Sequence, residues 1–251
     1  MITRTVRKSL DIKPSGRSSD FITPSFIHGC LYQCGYCYMR RNKPTGISIA
    51  TNVDEILEVV NEHANTTHVD KPNQPKAMGT FATKYVNDDL LNYNPEKKIR
   101  IRFSLMPQDL SDILEPNTSL ISERIEAIND FYYAGYDVHI NFSPIIVIPG
   151  AKTLYEELFK KIDYLVDDKI KNDVLCECIM LTHNDKMHQY NLEDSPEVED
   201  ILWQPDRQES KISSYGSKNL RYKLNLKSQY IKDFIKLHDE ILPWNRIRYI
   251  F

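Results

Sequence analysis

The sequence predicts an α/β fold, an open or partial (β/α)6 barrel, and three observations carry that prediction. Short segments rich in β-branched and aromatic residues alternate with amphipathic helical stripes. Six such segments fall within 251 residues, which suits six βα units closing toward a barrel better than a flat doubly wound sheet. A hydrophobic content of 41% can bury a core without disulfides, and the chain has no repeat, low-complexity tract or Gly/Ser linker. Residues 1–251 therefore read as a single domain.

In chain order, the first predicted strand covers 21–28. Asn52 and Glu55 have the spacing of a capping box, and Val53, Ile56, Leu57 and Val60 follow at helical intervals, so a helix is predicted over 52–63. Strands are predicted at 77–83 and 98–104. Ile121, Ile125, Ile128 and Tyr132 then form a helical stripe closed by Gly135, where a C-terminal cap belongs. A strand at 137–147 precedes the stripe Leu154, Leu158, Ile162 and Leu165. A strand at 174–181, a stripe through Ile231, Phe234, Ile235 and His238, and a strand at 246–250 complete the pattern. On such a fold ligands bind at the C-terminal ends of the strands, so the residues just after each strand are the ones to inspect.

The longest apolar runs, such as Ile145 to Ile148, fall far short of the ~20 residues that span a bilayer. No apolar core follows the charges of the first eight residues, so no secretory signal is expected and the compartment predicted is a reducing cytoplasm. The five cysteines are then thiols or ligands. The net charge of −3 excludes a wholly basic nucleic-acid binder, yet the charge is unevenly placed. Residues 1–48 hold eight basic side chains against two acidic, a net +6; residues 207–230 hold six against one, a net +5; the remainder carries −14. Two basic segments on an acidic body are either ordinary solvated surface or the two sides of a polyanion site.

After the first predicted strand comes Gly29-Cys30-Leu-Tyr-Gln-Cys34-Gly-Tyr-Cys37-Tyr38, three thiols at C-x3-C-x2-C spacing. Structural zinc usually takes four ligands in paired short spacings, which this loop lacks, although His28 or His63 could supply a fourth. Three thiolates suit three irons of a [4Fe-4S] cluster and leave the fourth iron open to a small molecule. The spacing resembles that of the radical S-adenosylmethionine superfamily. Beyond the triad, Val6-Arg-Lys-Ser-Leu10, Lys13-Pro-Ser15, Pro24, Asn52-Val-Asp-Glu-Ile-Leu57, Thr83-Lys-Tyr85, Arg102-Phe-Ser104, Glu115-Pro-Asn-Thr-Ser119 and the final Ile247-Arg-Tyr-Ile-Phe251 are similar, in order, to the spore photoproduct lyase family. The resemblance covers nearly the whole chain.

The resemblance implies a partial barrel of the radical S-adenosylmethionine type with a C-terminal hairpin, a [4Fe-4S] cluster on Cys30, Cys34 and Cys37, and S-adenosylmethionine as cofactor. That family splits the methyl-bridged thymine dimer of ultraviolet-irradiated spore DNA: a 5′-deoxyadenosyl radical takes a hydrogen atom from C6 of the lesion, and the product radical is quenched. The protein's part is to hold the target carbon and exclude other hydrogen donors. Lys84, Ser104 and Ser143 match cofactor contacts of the family. Tyr36 and Tyr38 match tyrosines near the cofactor that are implicated in returning the hydrogen atom. Taken alone, a lysine after a strand reads as a solvated charge and a serine as a turn residue. The implied partners are thymine-dimer DNA and an external one-electron reductant such as a flavodoxin or ferredoxin, with the protein a monomer.

The pattern also departs from the family. No cysteine follows the second strand, where the family places its hydrogen donor, and the run from Ala64 to Gly79 is too short for that element. The chain also begins almost at the Arg-Lys-Ser-Leu motif, without the family's N-terminal extension. Cys176 and Cys178 are the remaining thiols and share one strand face; either Glu177 on the other face suits a polar barrel mouth, which turns both cysteines outward into apolar packing, or one of the two thiols supplies the missing hydrogen donor. The family's DNA-contacting hairpin carries Arg-Tyr-Gly, matched here by Ser214-Tyr215-Gly216 within a hairpin expected over 207–225. Lys218 and Arg221 beside it retain phosphate attraction, and Tyr215 either stacks against a flipped base or packs on the rim. The function expected is repair of spore photoproduct in DNA. The alternatives are radical chemistry on another nucleotide or small molecule, and a non-catalytic zinc-stapled DNA-binding module.

Overall fold

The computed structural model describes residues 2–14, 21–37, 39, 46–66, 79–212, 216 and 218–251. They fall into two compact units, one made of 1–31 and 42–78, the other of 32–41 and 79–251.

In the first unit the strands are short: β1 (Ile2–Thr5), β2 (Lys13–Pro14), β3 (Phe21–Ile22), β4 (Ile27–His28) and β5 (Ile47–Ala50), followed by α1 (Val53–Thr66). The order β1-β5-β4 makes a three-stranded sheet with β1 parallel and β4 antiparallel to β5, while β2 and β3 pair antiparallel. The single strand expected over 21–28 is thus replaced by two brief antiparallel pairings, because Pro24 between them has no N–H for a ladder. Asn52 does precede the helix, but its side chain serves Arg7 instead of a capping box. Its Oδ1 accepts from Arg7 N (2.8 Å) and its Nδ2 donates to Arg7 O (3.1 Å) and Glu55 Oε2 (2.9 Å).

The second unit runs β6 (Gly79–Thr83), β7 (Ile99–Ser104), α2 (Gln108–Leu114), α3 (Ile121–Tyr133), β8 (Asp137–Ile145), α4 (Ala151–Leu165), β9 (Leu175–Met180) and β10 (Thr182–His183). It continues through α5 (Asp185–Asp194), α6 (Glu199–Leu202), β11 (Gln208–Ile212), β12 (Lys218–Tyr222), α7 (Leu224–Ile241) and β13 (Ile247–Ile250). Five strands form one parallel sheet in the order β13-β9-β8-β7-β6, so five of the six expected barrel strands are present in it. Central β8 is buried along most of its length, as a parallel strand covered on both faces must be.

Helices α4 and α7 cover the sheet through interlocked aromatics: Phe159 stands edge-on to Phe142 (5.4 Å) and to Phe234 (5.3 Å). In α3 the stripe Ile121, Ile125 and Ile128 is buried as expected, and Gly135 ends the helix at φ +97°, where a Cβ would meet Asn94 Oδ1 at 2.2 Å. Tyr132 departs from that stripe: Phe131 takes the core position, and the Tyr132 hydroxyl reaches Asp173 at the surface. The hairpin β11–β12 pairs antiparallel from Gln208↔Tyr222 to Ile212↔Lys218, with β10 on its other edge. Tyr222 is fully buried and its hydroxyl accepts from Val147 N (2.9 Å), fastening the hairpin to the exit of β8.

Candidate active site

Parallel strands leave unpaired groups at their C-terminal ends; Lys84 follows β6, Ser104 ends β7, and Asn141 of β8 stands in register with Ser104. Lys84 follows β6 directly; its carbonyl accepts from Ser119 N (3.1 Å), and its ammonium lies 4.0 Å from Glu115 Oε1 and 5.5 Å from the Tyr36 ring centroid. Ser104 closes β7, and its hydroxyl accepts from Asn141 Nδ2 (3.2 Å). Asn141 is buried, and its Oδ1 has no partner among the described residues. An orphaned acceptor of this kind calls for a ligand donor. Ser143 sits half-buried in β8 before a cis bond to Pro144, outside this hydrogen-bond set.

Beneath these groups lies an ion pair the sequence reading did not assign. Arg124 of α3 is completely buried, and its five N–H groups meet five acceptors: Nε to Ser119 O (2.9 Å), NH1 to Ser104 O (2.9 Å) and Glu115 Oε2 (2.7 Å), NH2 to Ser111 Oγ (3.3 Å) and Thr118 Oγ1 (2.6 Å). One side chain therefore ties the end of β7 to the end of α2 and the loop before α3. The other Glu115 oxygen accepts from the Tyr36 hydroxyl. Desolvation and the Glu115 charge raise the Tyr36 phenol well above its usual pKa. A signal for Arg124 was present in the sequence, since it interrupts the stripe Ile121, Ile125, Ile128 at a position on the same helical face.

A second buried group occupies the same sheet. Glu177 of β9 is fully buried and accepts from Arg102 NH1 (2.8 Å), the Tyr249 hydroxyl (2.7 Å) and Arg248 NH1, with His139 Nδ1 at 3.3 Å. Burial by itself would raise its pKa, but hydrogen bonds from His139, Arg102 and Tyr249 outweigh it and hold the carboxyl far below the usual range. The neighbouring Cys176 and Cys178 face the other way into the core, where Cys176 Sγ lies 3.6 Å from His238 Nε2. Both are packing residues beneath the helices, in keeping with the alternation argument.

Of the three triad cysteines, Cys30 belongs to the first unit and Cys34 and Cys37 to the second. Cys34 and Cys37 flank a turn closed by Cys37 N donating to Cys34 O (3.0 Å). Gly35 between them is held from both sides: its N–H donates to Leu114 O (2.9 Å) and its carbonyl accepts from Asn191 Nδ2 (2.9 Å). In the first unit His28, Cys30 and His63 gather into no metal-ligating group among the described residues, and His63 instead packs edge-on to Phe21 at 4.5 Å. Cys34 and Cys37 thus sit on a turn held in place at Gly35, and thiols are the donors an iron–sulfur cluster takes. Tyr38, Ser214 and Tyr215 lie outside the described residues.

At the hairpin, Lys218 pairs with Asp185 (3.6 Å) and Arg221 with Glu209 (3.1 Å). Lys227 nearby has its pKa lowered by burial and then by the charges of Lys211 and Arg221.

The family model for spore photoproduct lyase matches residues 68–251. The spore photoproduct lyase of Bacillus subtilis is 28% identical over 205 residues, covering 69% of this chain and 60% of its own length. That of Clostridium acetobutylicum is 25% identical over 198 residues, covering 65% and 58%. The chain thus spans about 60% of the length of the curated relatives it matches. Among solved structures, spore photoproduct lyase complexed with dinucleoside spore photoproduct matches all of this chain and 82% of its own, with a TM-score of 0.86 and 20% identity. A mutant of that enzyme with bound AdoMet and dinucleoside spore photoproduct gives 0.88 and 19% over the same shares. These structural likenesses establish the fold, and the family match over residues 68–251 shows that the chain belongs to the spore photoproduct lyase family.

Proposed function

We propose that the chain is a radical S-adenosylmethionine lyase that repairs spore photoproduct in DNA. The observation that carries this reading is the set Tyr36, Lys84, Ser104 and Asn141 gathered by the buried Glu115–Arg124 pair at the strand ends, in a chain of this family. Cys30, Cys34 and Cys37 would hold a [4Fe-4S] cluster, and S-adenosylmethionine bound beside it would supply a 5′-deoxyadenosyl radical for hydrogen abstraction. Lys84, the Ser104 hydroxyl and Asn141 Oδ1 offer the cofactor one cation, one hydroxyl and one unsatisfied acceptor, with Ser143 on the same strand as Asn141. Tyr36 carries its phenolic hydrogen at neutral pH as any tyrosine does, its raised pKa only widens that margin, and Glu115 fixes the direction of the O–H. With no donor cysteine after β6, Tyr36 and Tyr38 are the groups assigned to return hydrogen.

The reading includes an external one-electron reductant such as a flavodoxin or ferredoxin and a cytoplasmic monomer. No helix of the described residues is long and apolar enough to cross a membrane. Anaerobic reconstitution with iron and sulfide, followed by assay of 5′-deoxyadenosine and restored thymine, tests the reading. Irradiated spore-type DNA should stimulate both products. Formation of 5′-deoxyadenosine with no restored thymine would move the substrate to another nucleotide or small molecule. Stoichiometric zinc without acid-labile sulfide would replace the enzyme by a zinc-stapled module.

Two further outcomes test Lys84 and the hairpin. Lys84→Ala should weaken S-adenosylmethionine binding while the cluster absorbance stays unchanged, read by equilibrium binding on reconstituted protein. Unchanged affinity would return Lys84 to the solvated surface. At the hairpin, phosphates would compete with Asp185 and Glu209 for Lys218 and Arg221. Neutralising Lys218, Arg221 and Lys223 together should lower affinity for damaged and undamaged duplexes alike, and reduce the log–log salt slope by roughly one per lost phosphate contact. A triple variant that binds like the parent would remove the hairpin from the DNA site.

A further inference from the structure

We propose that His183, His188 and Glu199 form a binding site for a first-row transition-metal dication, separate from the three-cysteine loop. The three residues arrive from different elements, His183 from β10, His188 from α5 and Glu199 from the start of α6. His183 Nε2 lies 3.1 Å from both Glu199 oxygens, His188 Nδ1 lies 2.5 Å from Oε2, and all the ligating atoms fall within 4.8 Å of one another. Tetrahedral zinc with Zn–N and Zn–O bonds of about 2.0–2.1 Å needs ligand atoms roughly 3.3 Å apart, so small rotations admit the ion.

The surroundings are those of a ligand site. The His188 ring is stacked on Trp203 at 3.8 Å and 15°, and His183 meets the same indole edge-on at 6.0 Å, which fixes both rings. Asn191 Nδ2 donates to Glu199 Oε1, orienting the carboxylate as outer-shell partners of metal ligands do. An open cavity of about 640 Å³ touches His188 and Glu199, and its walls carry the further acidic groups Glu197 and Asp200. Their charge favours a cation, and the opening leaves room for water as a fourth ligand. Two imidazoles with one carboxylate select zinc or another late first-row dication over calcium or magnesium, which prefer all-oxygen shells. Since Asn191 also donates to Gly35 O, the ion would clamp α5 and α6 behind the turn that bears Cys34 and Cys37.

The test uses the full chain with its cluster reconstituted, so that the triad thiols are occupied, and zinc as the probe. After dialysis against a weak chelator, elemental analysis should find one zinc per chain. X-ray absorption at the zinc edge should show a nitrogen and oxygen shell at about 2.0–2.1 Å without sulfur at about 2.3 Å. Glu199→Gln and His188→Gln should lose the zinc while keeping the parent's circular dichroism, and Asn191→Ala should weaken it by roughly 10- to 100-fold. Sulfur in the shell, zinc retained equally by the Gln variants, or no zinc retained by the parent would each overturn the site. Because the absorption edge reports on the parent alone, the result stands even where a variant fails to fold. It is independent of whether the chain repairs DNA.

Discussion

Replacing Arg124 with alanine should lower the free energy of unfolding by about 3–5 kcal/mol, the cost of leaving a buried carboxylate without its counter-ion. Glu115 is 3% exposed, and the cation left near it, Lys84, stands 4.0 Å from its other carboxylate oxygen. Four other acceptors, on Ser104, Ser111, Thr118 and Ser119, would lose their donor at the same time. Arg124→Lys should fall between parent and alanine, because an ammonium keeps the charge but cannot reproduce a five-donor fork. Changing both members, as in Arg124→Met with Glu115→Met, should cost less stability than Arg124→Ala alone, since no lone charge is left buried. Denaturant midpoints at unchanged slope provide the measurement. A loss under about 0.5 kcal/mol, the range of ordinary surface changes, would show that the pair does not hold the strand ends together.

Single replacement of Cys30, Cys34 or Cys37 by alanine should abolish both the cluster absorbance and the cleavage of S-adenosylmethionine, whereas Cys176→Ala and Cys178→Ala should leave both intact. The contrast is physical. Cys34 and Cys37 flank a turn anchored at Gly35, and a cluster bound through Cys30, Cys34 and Cys37 would have no spare protein ligand. Cys176 and Cys178 are packed in the core beneath the helices, where their loss costs stability alone. Anaerobic reconstitution of all five variants, with visible absorbance and 5′-deoxyadenosine as readouts, separates the two classes. A Cys37→Ala protein that still built the cluster and cleaved the cofactor would end the three-thiol assignment.

Local pattern made much of the molecule legible. Strand and helix periodicity located the parallel sheet and the α3, α4 and α7 stripes, since burial on one face writes itself into neighbouring residues. Where the pattern misled, a competing local rule had acted: Pro24 divided the strand expected over 21–28, and the Asn52 side-chain oxygen was taken by Arg7 N instead of capping the first turn of α1. The three-cysteine motif was legible because its spacing is contained within eight residues, and the strand-end placement of Lys84 and Ser104 because both follow or close predicted strands.

What the sequence by itself determined, then, was the class of fold, the thiol loop and the positions at the ends of strands, all properties of short stretches whose chemistry does not depend on what packs beside them. The tertiary structure alone decided which charges meet. Arg124 reaches Ser104 across twenty residues, Glu177 collects Arg102, His139, Arg248 and Tyr249 from three other strands, and His183, His188 and Glu199 converge from three elements. No local spacing encodes such meetings, because a buried polar group is satisfied by whichever partner the folded chain brings within about 3 Å, at any separation in sequence.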